Sequence, residues 1–86
     1  MSYTVLCSAA AEEQLAAAFL ASGDRRALTA ATRAIDEILR AAPLAFGESR
    51  DGELRVGFEP PLAVWFTVAE SDRTVVIVRF RLRETE

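Results

Sequence analysis

The chain has 86 residues, a net charge of −3 and an apolar fraction of 51%. That describes one domain with one core, too apolar for disorder and with no run near the roughly 18–20 apolar residues of a membrane span. There is no histidine and a single cysteine, Cys7, which excludes the commonest general base, every Ser–His or Cys–His nucleophile pair and any internal disulfide.

Sixteen of the apolar residues are alanines. The core must therefore come from the leucines, isoleucines, valines, phenylalanines and Trp65. All ten cations are arginine, which reads as composition bias. The opening "MSYTVLCSAA" lacks the basic n-region of a signal peptide, and the lone thiol fits a reducing cytoplasm. No CxxC, Gly-rich phosphate loop or calcium-loop spacing is present, so no metal or cofactor is expected. Residues 1–86 are taken as a single domain.

In chain order, "YTVLCS" (Tyr3 to Ser8) reads as a short strand from its β-branched and aromatic content. Cys7 shares a face with Val5 and reads as a buried, inert thiol. Ser8 is placed to cap the following helix, and Glu12 and Glu13 lie where the helix dipole favours negative charge. Helix one is expected from about Ala9 to Ala21, with Leu15 and Phe19 as its buried stripe. Gly23 suits a left-handed helix end, and Asp24 suits an N-cap for the next helix. Helix two is expected from about Arg25 to Ala42. There Leu28, Ala31, Ile35, Ile38 or Leu39, and Ala42 recur at helical spacing, while Arg33 and Glu37 are placed to pair. Pro43 stops the helix. The short link implies an antiparallel helical hairpin.

"LAFGESRDG" reads as a loop, with Asp51-Gly52 as a turn signal. "ELRVGFE" then alternates, with Leu54, Val56 and Phe58 on one face. "LAVWFTVA" alternates too, with Leu62, Val64, Phe66 and Val68 inward and Trp65 and Thr67 outward. The last segment, "TVVIVRFRLR", sets Val76, Val78, Phe80 and Leu82 against Ile77, Arg79 and Arg81, with Arg83 at its end. Short turns join these strands into an antiparallel meander. The expected architecture is an α+β two-layer sandwich, β-α-α-β-β-β, with the helical hairpin packed on an antiparallel sheet. The position of the first strand is open.

The sheet face away from the helices is then expected to gather Arg55, Trp65, Thr67, Ile77, Arg79 and Arg81, with Arg83 at its rim and Arg50 in the loop before it. Residues two apart on a strand stand about 6.6–6.8 Å apart, near the spacing of neighbouring phosphates. A tryptophan among arginines can stack a base and hold its phosphate. The competing reading is a solvated charged edge, or one neutralised by Glu53, Glu59 and Glu70 across the sheet, with Trp65 partly in the core.

The order of elements and the stretches "YTVLCSAAAEEQL", "LRAAP", "ESRDGELRV" and "PLAVWFTVAESDRTVVIVRFRLR" together resemble the RelE/ParE superfamily of toxins from type II toxin–antitoxin systems. The resemblance spans nearly the whole chain and implies a small cytoplasmic toxin neutralised by a cognate antitoxin. RelE-like members cut messenger RNA on the ribosome; ParE-like members inhibit DNA gyrase. The family's basic positions fall here on Arg50 or Arg55, Arg79 and Arg81, which in a nuclease would orient the scissile phosphate. Arg55, Arg79 and Arg81 are thus the catalytic candidates, and Arg50, Arg55, Trp65, Arg79, Arg81 and Arg83 the anion- or nucleic-acid-binding candidates. The chain departs from the nuclease pattern at Ala63, where many members carry arginine, and in "RLRETE", which has no Tyr or His. Its acidity is a further departure. Growth inhibition by binding a target is therefore set ahead of two alternatives: a ribosome-dependent endonuclease, and a non-toxic interaction module of the same fold. Enzymatic activity stays open.

Overall fold

The structure, a computed structural model, describes residues 2–83. The elements are β1 (Thr4–Cys7), α1 (Ala9–Ala21), α2 (Arg25–Ala41), a 3-10 turn (Pro43–Ala45), β2 (Glu48–Asp51), β3 (Leu54–Glu59), β4 (Leu62–Ala69) and β5 (Thr74–Leu82). Both helices pack on one face of a five-stranded sheet of order β1-β5-β4-β3-β2. The α+β two-layer reading is therefore correct, with two additions. The segment expected as a loop contains β2, hairpinned to β3 through Gly52 at φ 59°. β1 lies at the edge beside β5 and runs parallel to it, so the sheet is mixed.

The helices form where capping and spacing place them. Ser8 accepts the Ala11 N–H at 3.1 Å and Asp24 accepts the Ala27 N–H at 3.0 Å, satisfying donors that a helix start leaves free. α2 buries Leu28, Ala31, Ile35 and Leu39. Each of its large apolar side chains contributes roughly 1.5–3 kcal/mol. In α1 it is Ala11 and Ala18 that are fully covered, with Leu15 and Phe19 packed beside them, because alanine lets the helix approach closely. Gly23 does not adopt a left-handed conformation; α1 ends instead at an extended Ser22, whose N–H donates to Ala18. The expected Arg33–Glu37 pair is replaced by Arg40 to Asp36, at 2.9 Å.

Where β1 stops at Cys7, the start of α1 takes over the edge of β5. The Ser8 N–H donates to the Ile77 carbonyl at 2.9 Å, and the Phe80 N–H donates to the Gln14 side-chain oxygen at 2.8 Å. These contacts supply partners that a longer β1 would otherwise provide.

Two strand phases differ from the alternation-based reading. β3 pairs Arg55 with Phe66, Gly57 with Val64 and Glu59 with Leu62. Directly opposed residues share a face. Arg55, Gly57 and Glu59 therefore point to the helix side, while Leu54, Val56 and Phe58 point away. The reason is Phe46. Its ring stacks on Phe66, with centroids 5.9 Å apart, and occupies the space where a Cβ on Gly57 would stand. β5 changes phase midway. Trp65 opposes Arg79 but Phe66 opposes Ile77, so Val78 is the extra residue of a bulge. Ahead of the bulge Val75 and Ile77 face the helices and are buried; beyond it Phe80 and Leu82 do. Ile77 thus belongs to the core and not with the arginines. The β4 phase is as expected: Leu62, Val64, Phe66 and Val68 line the core.

Gly47 and Gly52 test this account. Gly47 has φ 73° and its missing Cβ would overlap the Val56 carbonyl, whereas Gly52, at φ 59°, has open space around it. Gly47→Ala is expected to cost more stability than Gly52→Ala in urea denaturation, with the latter near the ~1 kcal/mol of a left-handed non-glycine residue.

Candidate functional site

The sheet face opposite the helices has no covering layer among the described residues. Its occupants follow from register. One row across the sheet reads Leu6, Val76, Thr67, Leu54, Asp51; the next reads Arg79, Trp65, Val56, Glu48; the next Arg81, Ala63, Phe58. Large apolar groups stay in water here: Leu6 is 52% and Phe58 51% exposed. Trp65, Val56 and Leu54 are half-buried.

Two aromatic–guanidinium pairs dominate the face. The Arg79 guanidinium lies over Trp65, 4.6 Å from the ring centroid, and that of Arg83 lies over Phe58 at 5.9 Å. Such contacts are worth about 0.5–1 kcal/mol at exposed sites, and they hold the cations against the rings. Ala63, 3% exposed, forms a small floor directly opposite Phe58 and one residue pair from Trp65. Arg50 and Arg83 reach the same open cleft of about 460 Å³, together with Glu48. Among the described residues the ion pair formed is Arg40–Asp36, so Glu53, Glu59 and Glu70 do not neutralise Arg79, Arg81 or Arg83.

Trp65, Arg79, Arg81 and Arg83 therefore share one side of the sheet, and Arg50, expected in a loop, stands on β2 beside the same cleft. Arg55 is not on that side. It points to the helix side and its guanidinium donates to the carbonyls of Leu44 (3.1 Å), Phe46 (3.3 Å) and Gly47 (3.2 Å). It borders a different cleft, of about 340 Å³, with Glu53 and Glu70. Its placement is set by the phase of β3, and its guanidinium holds the turn that leads into β2. Conversely, Phe58 and Glu48 join the face without having been singled out. Gly57 was the available signal, since a glycine inside a strand marks a close approach on its own side.

Arginine binds and orients anions but stays protonated, so the cations supply recognition and charge stabilisation, not proton transfer. Glu48 is the carboxylate lining the Arg50–Arg83 cleft. No group of three His, Cys, Asp or Glu side chains among the described residues converges as a metal site requires. No described helix is long and apolar enough to cross a membrane. Cys7 is half-buried on the helix side, and burial, reinforced by the Glu12 carboxylate, pushes its thiol above the ordinary value.

No protein-family model matches the sequence, and no curated protein does. Solved structures do resemble it. A chain of the toxin–antitoxin complex RelBE2 from Mycobacterium tuberculosis superposes with a TM-score of 0.79 at 22% identity, covering 96% of this chain and 100% of that one. A chain of the chromosomal ParDE toxin–antitoxin system from P. aeruginosa does so with a TM-score of 0.65 at 18% identity, covering 95% of this chain and 97% of that one.

The chain has a RelE/ParE-like fold.

Two measurements check the site description. Arg55→Ala is expected to lose about 1–3 kcal/mol in chemical denaturation, because three loop carbonyls lose their donor, whereas Arg79→Ala and Arg81→Ala stay within about 1 kcal/mol. The Cys7 thiolate is disfavoured in the folded state. Its contribution to stability is therefore full below the thiol's unfolded pKa and is lost as pH rises through the folded one. Alkylation of the folded chain by iodoacetamide is expected to rise at higher pH than alkylation of the urea-unfolded chain.

Proposed function

We propose that this chain is the toxin of a type II toxin–antitoxin pair, and that it inhibits growth by binding a cellular target through the open sheet face. The observation that carries the reading is the cluster of Arg79 on Trp65 and Arg83 on Phe58, beside Arg50, on the uncovered side of a fold shared with chains of two toxin–antitoxin systems. Flat guanidinium groups on aromatic rings suit a target that offers anionic groups and planar surface together. The partner that silences the chain is a cognate antitoxin whose acidic residues compensate these arginines.

Binding without catalysis is the leading mechanism, because the face offers cations and rings and a single carboxylate in its cleft. One observation favours a second reading, ribosome-dependent cleavage of messenger RNA. Glu48 lines the same cleft as Arg50 and Arg83, so a carboxylate capable of accepting a proton stands beside cations capable of holding a phosphate.

Controlled expression in a bacterial host separates these. Growth arrest relieved by Arg79→Ala with Arg81→Ala is the expected outcome. A DNA-damage response with intact messages identifies a gyrase-type target. Message cleavage on ribosomes, lost in Glu48→Gln, identifies the nuclease. Absence of any growth effect from the folded protein sinks the toxin reading and leaves an interaction module of the same fold.

A further inference from the structure

The cleft of about 460 Å³ on the open face is bordered by Trp65, Val56, Phe58, Glu48, Arg50 and Arg83. That size lies within the roughly 300–1,000 Å³ of small-molecule sites. Strand register fixes its layout. Trp65 on β4, Val56 on β3 and Glu48 on β2 form one row across the sheet. The Glu48 backbone thus stands two strand spacings, about 9–10 Å, from that of Trp65. Arg50 lies past this row toward the Leu54 end of β3. Arg83 lies past it in the other direction, next to Leu82, which opposes Leu62. One guanidinium therefore flanks the row on each side. Glu48, Arg50 and Arg83 border one cleft without pairing, since the ion pair among the described residues is Arg40–Asp36. Their hydrogen-bonding groups are left to water or to an occupant. The Arg79 guanidinium sits 4.6 Å from the indole centroid but outside the cleft, which Trp65 still borders.

We infer that this cleft holds a guanine nucleotide, with Glu48 selecting the base and Arg50 and Arg83 taking phosphate. Two cations and one carboxylate leave the cleft net positive, which suits an anion. Its apolar wall suits a planar ring, packed on the indole by stacked or edge-to-face contact. The carboxylate then chooses among rings, because an ionised glutamate only accepts hydrogen bonds. The Watson–Crick edge of guanine offers two adjacent donors, the ring N–H and the exocyclic amino group, and one carboxylate accepts both. Adenine and cytosine set a ring acceptor beside their amino group. Uracil flanks its ring N–H with two carbonyls. Each of these turns a lone pair toward Glu48 and leaves it unpaired. The arginine forks match phosphate oxygens. The same chemistry is offered by a free nucleotide and by a guanosine within single-stranded RNA, whose unstacked bases expose that edge. The inference rests on the reading of the open face as the working surface and names the chemistry held there.

The test uses the purified full chain and the emission of Trp65, its one tryptophan. Guanosine monophosphate is expected to change that emission saturably, and the adenine, cytosine and uracil monophosphates to bind about tenfold or more weakly. The RNA pentamer AAGAA is expected to bind about tenfold or more tightly than AAAAA. It is also expected to bind more tightly than guanosine monophosphate, because each arginine then meets a phosphate. Equal affinity for the two identifies the free nucleotide as the occupant. Glu48→Gln replaces an acceptor with a donor and is expected to bring the guanine-to-adenine affinity ratio to about one or below. Arg50→Ala and Arg83→Ala are expected to weaken every nucleotide alike and leave that ratio unchanged. Arg33→Ala, at an exposed position of α2 in the other layer, is expected to leave binding unchanged. No saturable change with either guanosine monophosphate or AAGAA overturns the inference. So does equal binding of the four bases, a ratio unmoved in Glu48→Gln, or a loss in Arg33→Ala as large as that in Arg83→Ala. No cellular readout enters. Growth arrest by a chain that binds no guanine nucleotide refutes this inference alone, and guanine binding by a chain without growth effect refutes the toxin reading alone.

Discussion

The arrangement depends on Phe46 lying over Gly57. A side chain at position 57 would collide with that ring. Because it is absent, Phe46 can stack on Phe66 from the core side, and β3 must present Gly57 and Arg55 toward the helices. The consequences run outward from there. Arg55 finds three carbonyls in the turn before β2 and pins it. Leu54, Val56 and Phe58 are forced to the other side of the sheet. An apolar surface that would otherwise be core becomes a floor for arginines.

The bulge at Val78 does complementary work on β5. It lets the first half of the strand turn Val75 and Ile77 to the helices while the second half turns Arg79 and Arg81 to water. Without it, one of the two sets would face the wrong layer, and a buried unpaired guanidinium costs far more than a bulge. The cations are then oriented by aromatic rings rather than by carboxylates, which leaves their donors available to an incoming anion. The carboxylates on this face among the described residues are Glu48 and Asp51, both on β2.

Much of this was legible in the residues. The caps Ser8 and Asp24, both helices, the β4–β5 hairpin and the inward set Leu62, Val64, Phe66 and Val68 follow from local chemistry and periodicity, which need no tertiary information. So does the gathering of Arg79, Arg81 and Trp65. What was not legible is phase. "LRVGFE" alternates equally well with either set inward, and only the long-range contact between Phe46 and Gly57 decides between them. A bulge leaves no local mark in a run such as "TVVIVRF", where every residue before the first arginine tolerates either face. β2 escaped because its residues, Glu48 to Asp51, are all exposed and carry no apolar rhythm; pairing with β3 alone makes them a strand. Arg55, expected among the anion-binding residues of the open face, was misplaced for the same reason as its strand.

The arginines Arg79, Arg81 and Arg83 on one side of a chain of net charge −3 also give the molecule an electrical direction. A chain with a net −3 is pushed away from nucleic acids and acidic surfaces at long range. Its positive side becomes visible only within about 8–10 Å at ordinary ionic strength. Such a body tumbles until the arginine side leads, so encounters with polyanions are filtered by orientation before any contact is made.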